Sequence, residues 1–453
     1  MNGSNRELAL NKRGETPRTL PFESSSLTHW LSRWGLIVTE FGMVQVGVQA
    51  LLAVAGLLIV RTLSKQEYAL FAVANSMQTT GNLLAELGIG IGLRSIGGRV
   101  WNDRYRFGQL LNTALGLRRN FGLVAMALCL PVAGWMLWRI GAEWLQIAGL
   151  CIAIVAGVIP LLGSTVWNVS PLLHGEYRRI QKLDLGNAAL RLTLIGILAI
   201  ERMNALLAVL VGVVGNWIQS ILICRWARDY ADPTAGVNPE DRGELLRISM
   251  KSLPNAVFFC FQAQVTLLIL TLLGSPTGIA DITALGRVTA LFAVVSTVFT
   301  NVLVPCFARC QNPTRLPYLY LLLVSAIVLV LLPLLLFAWF FPDPFLWLLG
   351  GKYQQLGREC GWVVAAGCVG QIAGVMWGLN SSKAWIRLQA PGFIPAILAA
   401  QIMAALFLDL RQFHDVLVFN LVTAASPIPI YALDAYFGWR AQQRGNGCLT
   451  VCL

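Results

Sequence analysis

The chain has 453 residues and a formal net charge of +12, with 56% hydrophobic but only 12% charged residues. Soluble domains have about 25% charged residues, so this composition excludes a soluble multidomain enzyme. The apolar residues form long continuous runs of about 20, the length that a helix needs to cross a bilayer. A transmembrane barrel would instead show short alternating segments. We therefore predict an all-α integral membrane protein.

The polar N-terminus, residues 1–34, carries five basic side chains before the first apolar run. No apolar core follows these charges at the distance expected of a signal peptide. We predict a disordered cytoplasmic tail here, and a second cytoplasmic tail at residues 438–453.

Twelve membrane-spanning helices are predicted between the two tails. They cover residues 35–60, 68–93, 117–138, 144–167, 183–200, 204–224, 252–273, 279–304, 316–341, 356–379, 389–408 and 416–436. The longest soluble loop lies after the sixth span, so residues 225–250 are predicted to link two six-helix lobes, residues 35–224 and 251–437. Residues 69–75 and 280–286, which open the second and eighth spans, align weakly with each other. Two similar six-helix lobes around a central cleft are typical of a transporter that works by alternating access.

The Lys and Arg residues predict how the chain is oriented. If the N-terminus is cytoplasmic, 25 of the 34 basic residues lie on the cytoplasmic side and 7 on the other. Cytoplasmic loops carry the excess of positive charge, so both termini are predicted to be cytoplasmic. Short basic juxtamembrane loops meet anionic lipid headgroups, which accounts for the net charge without nucleic acid as a partner.

The remaining two basic residues, Arg191 and Arg287, lie well inside predicted spans. Basic residues that stand at span ends are counted with the flanking loops, namely Arg118, Arg119 and Arg358. A charge at the bilayer centre costs about 2.5–3.5 kcal/mol on insertion scales, so it normally faces protein, water or a ligand. Arg287 is the best candidate for an anion-binding residue in the cleft, and Arg191 is a second. The alternatives without a ligand are an ion pair of Arg287 with Asp281 or Glu86, or extension of its side chain to the membrane interface.

Other polar residues within the spans complete the predicted site. Glu86 either carries a coupling proton or neutralises a nearby arginine. Six amides either line the cleft or hold helices together. These amides belong to Gln45, Gln49, Asn75, Asn82, Gln262 and Gln264.

Features of a soluble catalytic site do not occur in the sequence. No phosphate-binding glycine loop, nucleophile motif or metal-ligand cluster is present, and Cys306 and Cys310 have no further ligand nearby to complete a zinc site. His174 has no paired nucleophile, which favours a hydrogen bond that anchors its loop. We predict no cofactor and no enzymatic activity.

Five stretches, in this order along the chain, resemble one transporter family. Residues 60–71 resemble that family's arginine–leucine turn and acidic–tyrosine–glycine step, with Ala69 in place of the glycine. The other four stretches are residues 87–90, 172–179 and 244–254, and residues 284–287 followed by Pro305. Together they resemble the polysaccharide flippases of the multidrug/oligosaccharidyl-lipid/polysaccharide exporter superfamily.

This resemblance implies a V-shaped pair of six-helix bundles in the bacterial inner membrane. It implies movement of an undecaprenyl-diphosphate-linked oligosaccharide from the cytoplasmic to the periplasmic leaflet during synthesis of a surface polysaccharide such as O-antigen or exopolysaccharide. Arginine suits a diphosphate, because its planar guanidinium donates two parallel hydrogen bonds. Membrane lipids, a polysaccharide polymerase and chain-length proteins are the implied partners, and H⁺ or Na⁺ is the implied coupling ion.

Two other functions stay open at this point. A cation-coupled drug or metabolite antiporter of the same superfamily would call for an acidic residue deep in the first span, where the sequence has only Glu40 near the cytoplasmic end. A membrane-embedded glycosyltransferase or polymerase would need a large periplasmic loop or an acidic cluster. The longest predicted periplasmic loop, residues 342–355, has Asp343 as its one acidic residue.

Overall fold

A computed structural model describes residues 27–200, 203–272, 276–290, 316–383 and 388–443, and six further single residues. The single residues are Phe292, Phe299, Leu303, Val304, Phe307 and Trp385. Two compact units are distinguished, Met1–Phe41 and Gly42–Leu453, and the described part of the first, residues 27–41, is helical. The predicted tail at residues 1–34 therefore lies mostly outside the described residues.

The described residues are helices and short connections, without a strand. The α-helices, in chain order, are α1 Leu27–Thr62, α2 Lys65–Glu86, α3 Ile89–Val100, α4 Arg104–Ile140, α5 Trp144–Trp167, α6 Val169–Leu173, α7 Tyr177–Ile200, α8 Ala205–Ala227, α9 Pro239–Leu272, α10 Pro276–Gly286, α11 Leu316–Phe340, α12 Asp343–Leu349, α13 Gly357–Ser382, α14 Gln389–Phe407, α15 Phe413–Ala425 and α16 Ile428–Gln443. Two 3₁₀ turns, Val288–Ala290 and Gly351–Tyr353, follow α10 and α12.

Eight stretches of the described residues are long and apolar enough to cross a membrane, and two shorter apolar helices lie at Cys260–Leu272 and Gly392–Phe407. The most apolar stretch is α11, with a mean hydropathy of 3.1 and only 22% of its window buried within the protein. Most of its apolar side chains point away from the rest of the chain, which is the arrangement expected where lipid is the solvent. The membrane prediction is thus supported by the direction of the apolar side chains as well as by their number.

Three predicted spans are interrupted. The second ends at Glu86 rather than at Leu93, because Leu87 and Gly88 adopt left-handed backbone conformations with φ of 34° and 78°. Only glycine takes such a φ without strain, so Gly88 allows the sharp step into α3. The eighth is broken directly after Gly286, and the twelfth is divided between α15 and α16 at Pro427, which has no N–H to continue the helix.

Other helices begin earlier than their apolar runs. α4 begins at Arg104 rather than at residue 117, because the side chain of Asp103 accepts hydrogen bonds from the first backbone N–H groups. α7 begins at Tyr177, and α9 begins at Pro239 rather than at residue 252. Arg118, which the charge count assigned to a cytoplasmic loop, therefore lies inside α4.

The connection between α8 and α9 is folded against α4. Asn112 donates hydrogen bonds to the carbonyl oxygens of Pro233 and Ala235, at 3.1 and 2.7 Å. Arg106 forms a two-point ion pair with the 3% exposed carboxylate of Asp241 in the first turn of α9. The role of residues 225–250 as a linker between two lobes stays a prediction, but residues 228–241 are held in place by specific contacts.

α2 is the central helix of the fold. It packs against α4, α5 and α8 of the first half of the chain and against α9 and α10 of the second half. The contact between α2 and α10, which we name the α2–α10 seam, includes the ion pair of Lys65 with Asp281 and the hydrogen bond of Arg287 to Tyr68. The two helices that carry the weakly aligned stretches are thus neighbours in space.

Candidate functional site

A cavity of about 370 Å³ lies beside the α2–α10 seam. Its wall comes from α1, α2, α5, α7 and α8 of the first half of the chain, and Arg287 is the lining residue contributed by the described part of the second half. The polar lining residues are Asn75, Gln78, Thr79, Asn82, Arg191, Asn216 and Arg287. Two arginines and no carboxylate line the cavity within the described part of the chain, so its charge suits an anion.

Arg287 lies at the break between α10 and the 3₁₀ turn that follows. Its Nε donates a hydrogen bond to the hydroxyl of Tyr68 on α2, at 3.3 Å. A side chain at Gly56 of α1 would meet the guanidinium at about 3.0 Å, so the glycine makes room for it. Asp281, a suggested ion-pair partner, binds Lys65 instead, and no described carboxylate forms an ion pair with Arg287. Its two terminal nitrogens have no hydrogen-bond partner among the described residues.

Arg191 lies near the middle of α7, whose 24 residues make it longer than predicted. Its Nη2 donates to the side-chain oxygen of Asn216 on α8 at 2.5 Å, and its Nε is buried without a described partner. The helix extends to Tyr177, so Arg191 lies well inside it and against α8. The structure thus brings both predicted arginines to one cavity.

The six predicted amides separate into three groups. Asn75 and Asn82 line the cavity. Gln264 joins two helices across the halves of the chain, because its side chain bonds Ser76 and Thr80 of α2 at 2.5–3.0 Å. Gln49 and Gln45 precede the lining residue Leu52 by one and two turns on the same face of α1, and these two and Gln262 of α9 are not among the lining residues.

Glu86 does not line the cavity, but it lies near a second buried arginine. Its carboxylate interacts electrostatically with Arg118 of α4, whose side chain is only 1% exposed. Arg118 donates from Nη2 to the side-chain oxygen of Asn82 at 2.9 Å. The burial of Arg118 could not be predicted, because Arg118 stands at the edge of the apolar run, adjacent to the exposed Arg119. The role of Glu86 as the partner of an arginine stays a prediction, and the buried arginine near it is Arg118.

Basic residues tie the two halves together at the end of the seam that is predicted to be periplasmic. Arg61, in the last turn of α1, donates to the carbonyl oxygens of Trp347 and Leu348 at 2.5 and 2.9 Å, at the end of α12. Lys352 donates in return to the carbonyl oxygen of Leu63 at 2.7 Å, and Lys65 forms a 2.7 Å ion pair with Asp281. We name these contacts the Arg61–Lys65–Lys352 latch.

The ion pair of the latch gives a stability prediction. Lys65→Met is expected to destabilise the protein by about 1–3 kcal/mol, because the buried carboxylate of Asp281 loses its donor. Thermal unfolding in detergent measures the loss, and faster amide hydrogen exchange in the first turns of α2 and α10 locates it. The charge swap of Lys65→Asp with Asp281→Lys serves as the control and should recover much of the stability. A Lys65→Met protein as stable as the wild type would contradict the prediction.

His174 anchors a loop at the opposite end of the helices. Its Nδ1 lies 2.8 Å from the carbonyl oxygen of Ser170, and its ring stacks on Tyr230 with centroids 4.2 Å apart. This agrees with the structural role predicted for His174. Among the described residues, no group of three His, Cys, Asp or Glu side chains could hold a metal ion.

No family model and no curated protein matches the chain, but solved structures do. The chain is similar to the inward-facing conformation of a multidrug resistance MATE family transporter of the MOP superfamily, with a TM-score of 0.69 and 16% identity over 89% of this chain and 99% of the other. Its outward-facing counterpart matches with a TM-score of 0.55 and 15% identity over 90% of this chain and 95% of the other. A MOP superfamily transporter from Pyrococcus furiosus, described by a reverse polarity of its binding pocket, matches with a TM-score of 0.57 and 17% identity over 90% and 95%.

These similarities show that the chain has the fold of the MATE transporters. They confirm the predicted all-α membrane fold class, and the twelve predicted spans agree with the neighbours. The TM-score is higher with the inward-facing structure than with the outward-facing one.

Proposed function

We propose that the chain is a flippase for an anionic lipid-linked oligosaccharide, of the undecaprenyl-diphosphate type, in the bacterial inner membrane. It moves the headgroup from the cytoplasmic to the periplasmic leaflet by alternating access, with both chain termini in the cytoplasm. The observation that carries this proposal is the cavity that Arg191 and Arg287 line without a described carboxylate. A diphosphate that crosses the membrane needs donors to replace its hydration shell, and guanidinium groups supply them.

The position of the latch supports alternating access. The Arg61–Lys65–Lys352 latch holds the halves together at the end predicted to be periplasmic, and the higher TM-score belongs to an inward-facing transporter. In this proposal the cavity takes up the headgroup from the cytoplasmic leaflet. Release of the latch would let the halves rock apart on the periplasmic side.

The alternative is a cation-coupled drug or metabolite antiporter, and two of the solved neighbours are named multidrug resistance transporters. A site for cationic drugs calls for carboxylates, and the described lining has none. The side chain of Glu40 lies outside the described residues. Coupling to H⁺ or Na⁺ is compatible with either function, and Glu86 beside Arg118 is the proposed coupling or charge-partner residue. An adjacent polymerase and chain-length proteins stay proposed partners.

Deletion of the gene in its host tests the proposal. Loss of the flippase should abolish the surface polysaccharide and let lipid-linked repeat units accumulate, and expression of the full chain in trans should restore export. A deletion strain with normal polysaccharide but increased sensitivity to cationic drugs would favour the antiporter and overturn the flippase proposal.

A further inference from the structure

Two asparagines in the cavity wall are each held by an arginine. The side-chain oxygen of Asn82 on α2 accepts from Nη2 of Arg118 at 2.9 Å, and that of Asn216 on α8 accepts from Nη2 of Arg191 at 2.5 Å. Both asparagines line the cavity. The same pairing thus occurs twice, on two helices and with two different arginines.

The chemistry of the pairing fixes the direction of each amide. A guanidinium has five N–H donors and no acceptor, so only the oxygen of the amide can face it. The NH₂ group then points along the other branch of the planar amide. No described residue accepts a hydrogen bond from the NH₂ group of Asn82 or Asn216, which leaves both donors for a ligand.

Besides its electrostatic interaction with Glu86, Arg118 makes one described hydrogen bond, the one to Asn82. It is 1% exposed, it does not line the cavity, and its Nε has no described partner. Desolvation of a buried charge costs several kcal/mol, and an apolar residue of similar volume is often more stable. The contact that Arg118 makes toward the cavity is the one through Asn82.

We propose that Arg118 and Arg191 are positioning residues that turn the amides of Asn82 and Asn216 so that their NH₂ groups donate into the cavity. With the guanidinium of Arg287, they make a surface rich in donors that selects an oxyanion, such as a diphosphate, over a neutral or cationic group. The inference rests on the proposed function, because it assigns the headgroup to this cavity. It adds Arg118, which no ligand touches, as a determinant of specificity.

Binding of farnesyl diphosphate and of farnesol to the purified full chain in detergent tests this inference. Arg118→Met is expected to weaken the affinity for the diphosphate by about tenfold, the value of one hydrogen bond to a charged group, and to leave the affinity for farnesol unchanged. Arg118→Lys should recover most of the affinity, because an ammonium also donates to the amide oxygen. Arg119→Met is the matched control, since it removes an equal charge from the adjacent, exposed position and should change neither affinity.

A second variant tests the inference independently if the Arg118→Met protein does not fold. Asn216→Asp keeps a strong partner for Arg191 but replaces the NH₂ donor by an acceptor, so it should lose the preference for diphosphate while unfolding at a temperature close to that of the wild type. The inference would be overturned if the Arg118→Met and Arg119→Met proteins bound the diphosphate with equal affinity. It would also be overturned if Arg118→Met weakened the binding of farnesyl diphosphate and of farnesol equally. A wild type without preference for the diphosphate would overturn both the inference and the headgroup site. Normal preference in a protein that fails to restore export would overturn the flippase function alone.

Discussion

Replacement of Arg287 by alanine is expected to reduce export of the surface polysaccharide by about 10- to 100-fold at normal protein levels. The reason is that hydrogen bonds to charged groups contribute about 1.5–3 kcal/mol each, and the terminal nitrogens of Arg287 face the cavity without a described partner. Arg287→Lys should keep part of the activity, because an ammonium retains the charge but loses the two-point geometry. Surface polysaccharide in a deletion strain that expresses each variant provides the measurement.

The control for this experiment is Arg139, in the last turn of α4. It is exposed and distant from the cavity wall. Arg139→Ala should therefore export normally. Normal export by Arg287→Ala at wild-type protein levels would remove Arg287 from the headgroup site.

Removal of Arg106 is expected to have the largest effect on stability. Arg106→Met leaves the 3% exposed carboxylate of Asp241 without its two-point partner, and an unpaired buried charge costs about 3–5 kcal/mol. The loss should release the start of α9 and the loop between α8 and α9 from α4. Thermal unfolding in detergent and limited proteolysis of residues 228–238 measure these two effects.

A second arginine on the same face of the protein supplies the comparison. Arg99 of α3 pairs with Glu244 of α9 at 2.7 Å, but its side chain is 61% exposed and that of Glu244 is 45% exposed. Exposed ion pairs contribute about 0–1 kcal/mol, so Arg99→Met should unfold close to the wild-type temperature. Equal destabilisation by the two variants would mean that burial of Asp241 does not determine the strength of its pair.

The membrane class and most of the helices could be predicted from the sequence, since a bilayer requires long apolar segments. The predicted span at residues 144–167 coincides with α5. Two helix ends inside predicted spans were not predicted. The one at Leu87 and Gly88 depends on a left-handed backbone conformation, and the one after Gly286 falls within an apolar run. Hydropathy also misses polar turns that extend a helix, as at the start of α4 and α9.

The site could be predicted only in part. Arg191 and Arg287 interrupt apolar runs, so the cost of a charge in the membrane marks them in the sequence. Arg118 stands next to Arg119 at the edge of an apolar run, and only the packing of α4 against α2 distinguishes the buried residue from the exposed one. For the amides, the sequence carries no information on which face of the helix they occupy relative to a neighbour. Gln264 therefore proved to be a contact between helices, and Asn216 a cavity residue that was not predicted.

The central claim is tested most directly in vesicles that contain the purified protein. The measurement is the transfer of a fluorescent undecaprenyl-diphosphate-linked sugar from one leaflet of the vesicle membrane to the other. The full chain should make the labelled headgroup accessible to a quencher on the opposite side much faster than protein-free vesicles do. A variant with both Arg191→Gln and Arg287→Gln should behave like the protein-free vesicles. If the double variant moved the lipid as fast as the wild type, the arginine-lined cavity would not be the path of the headgroup.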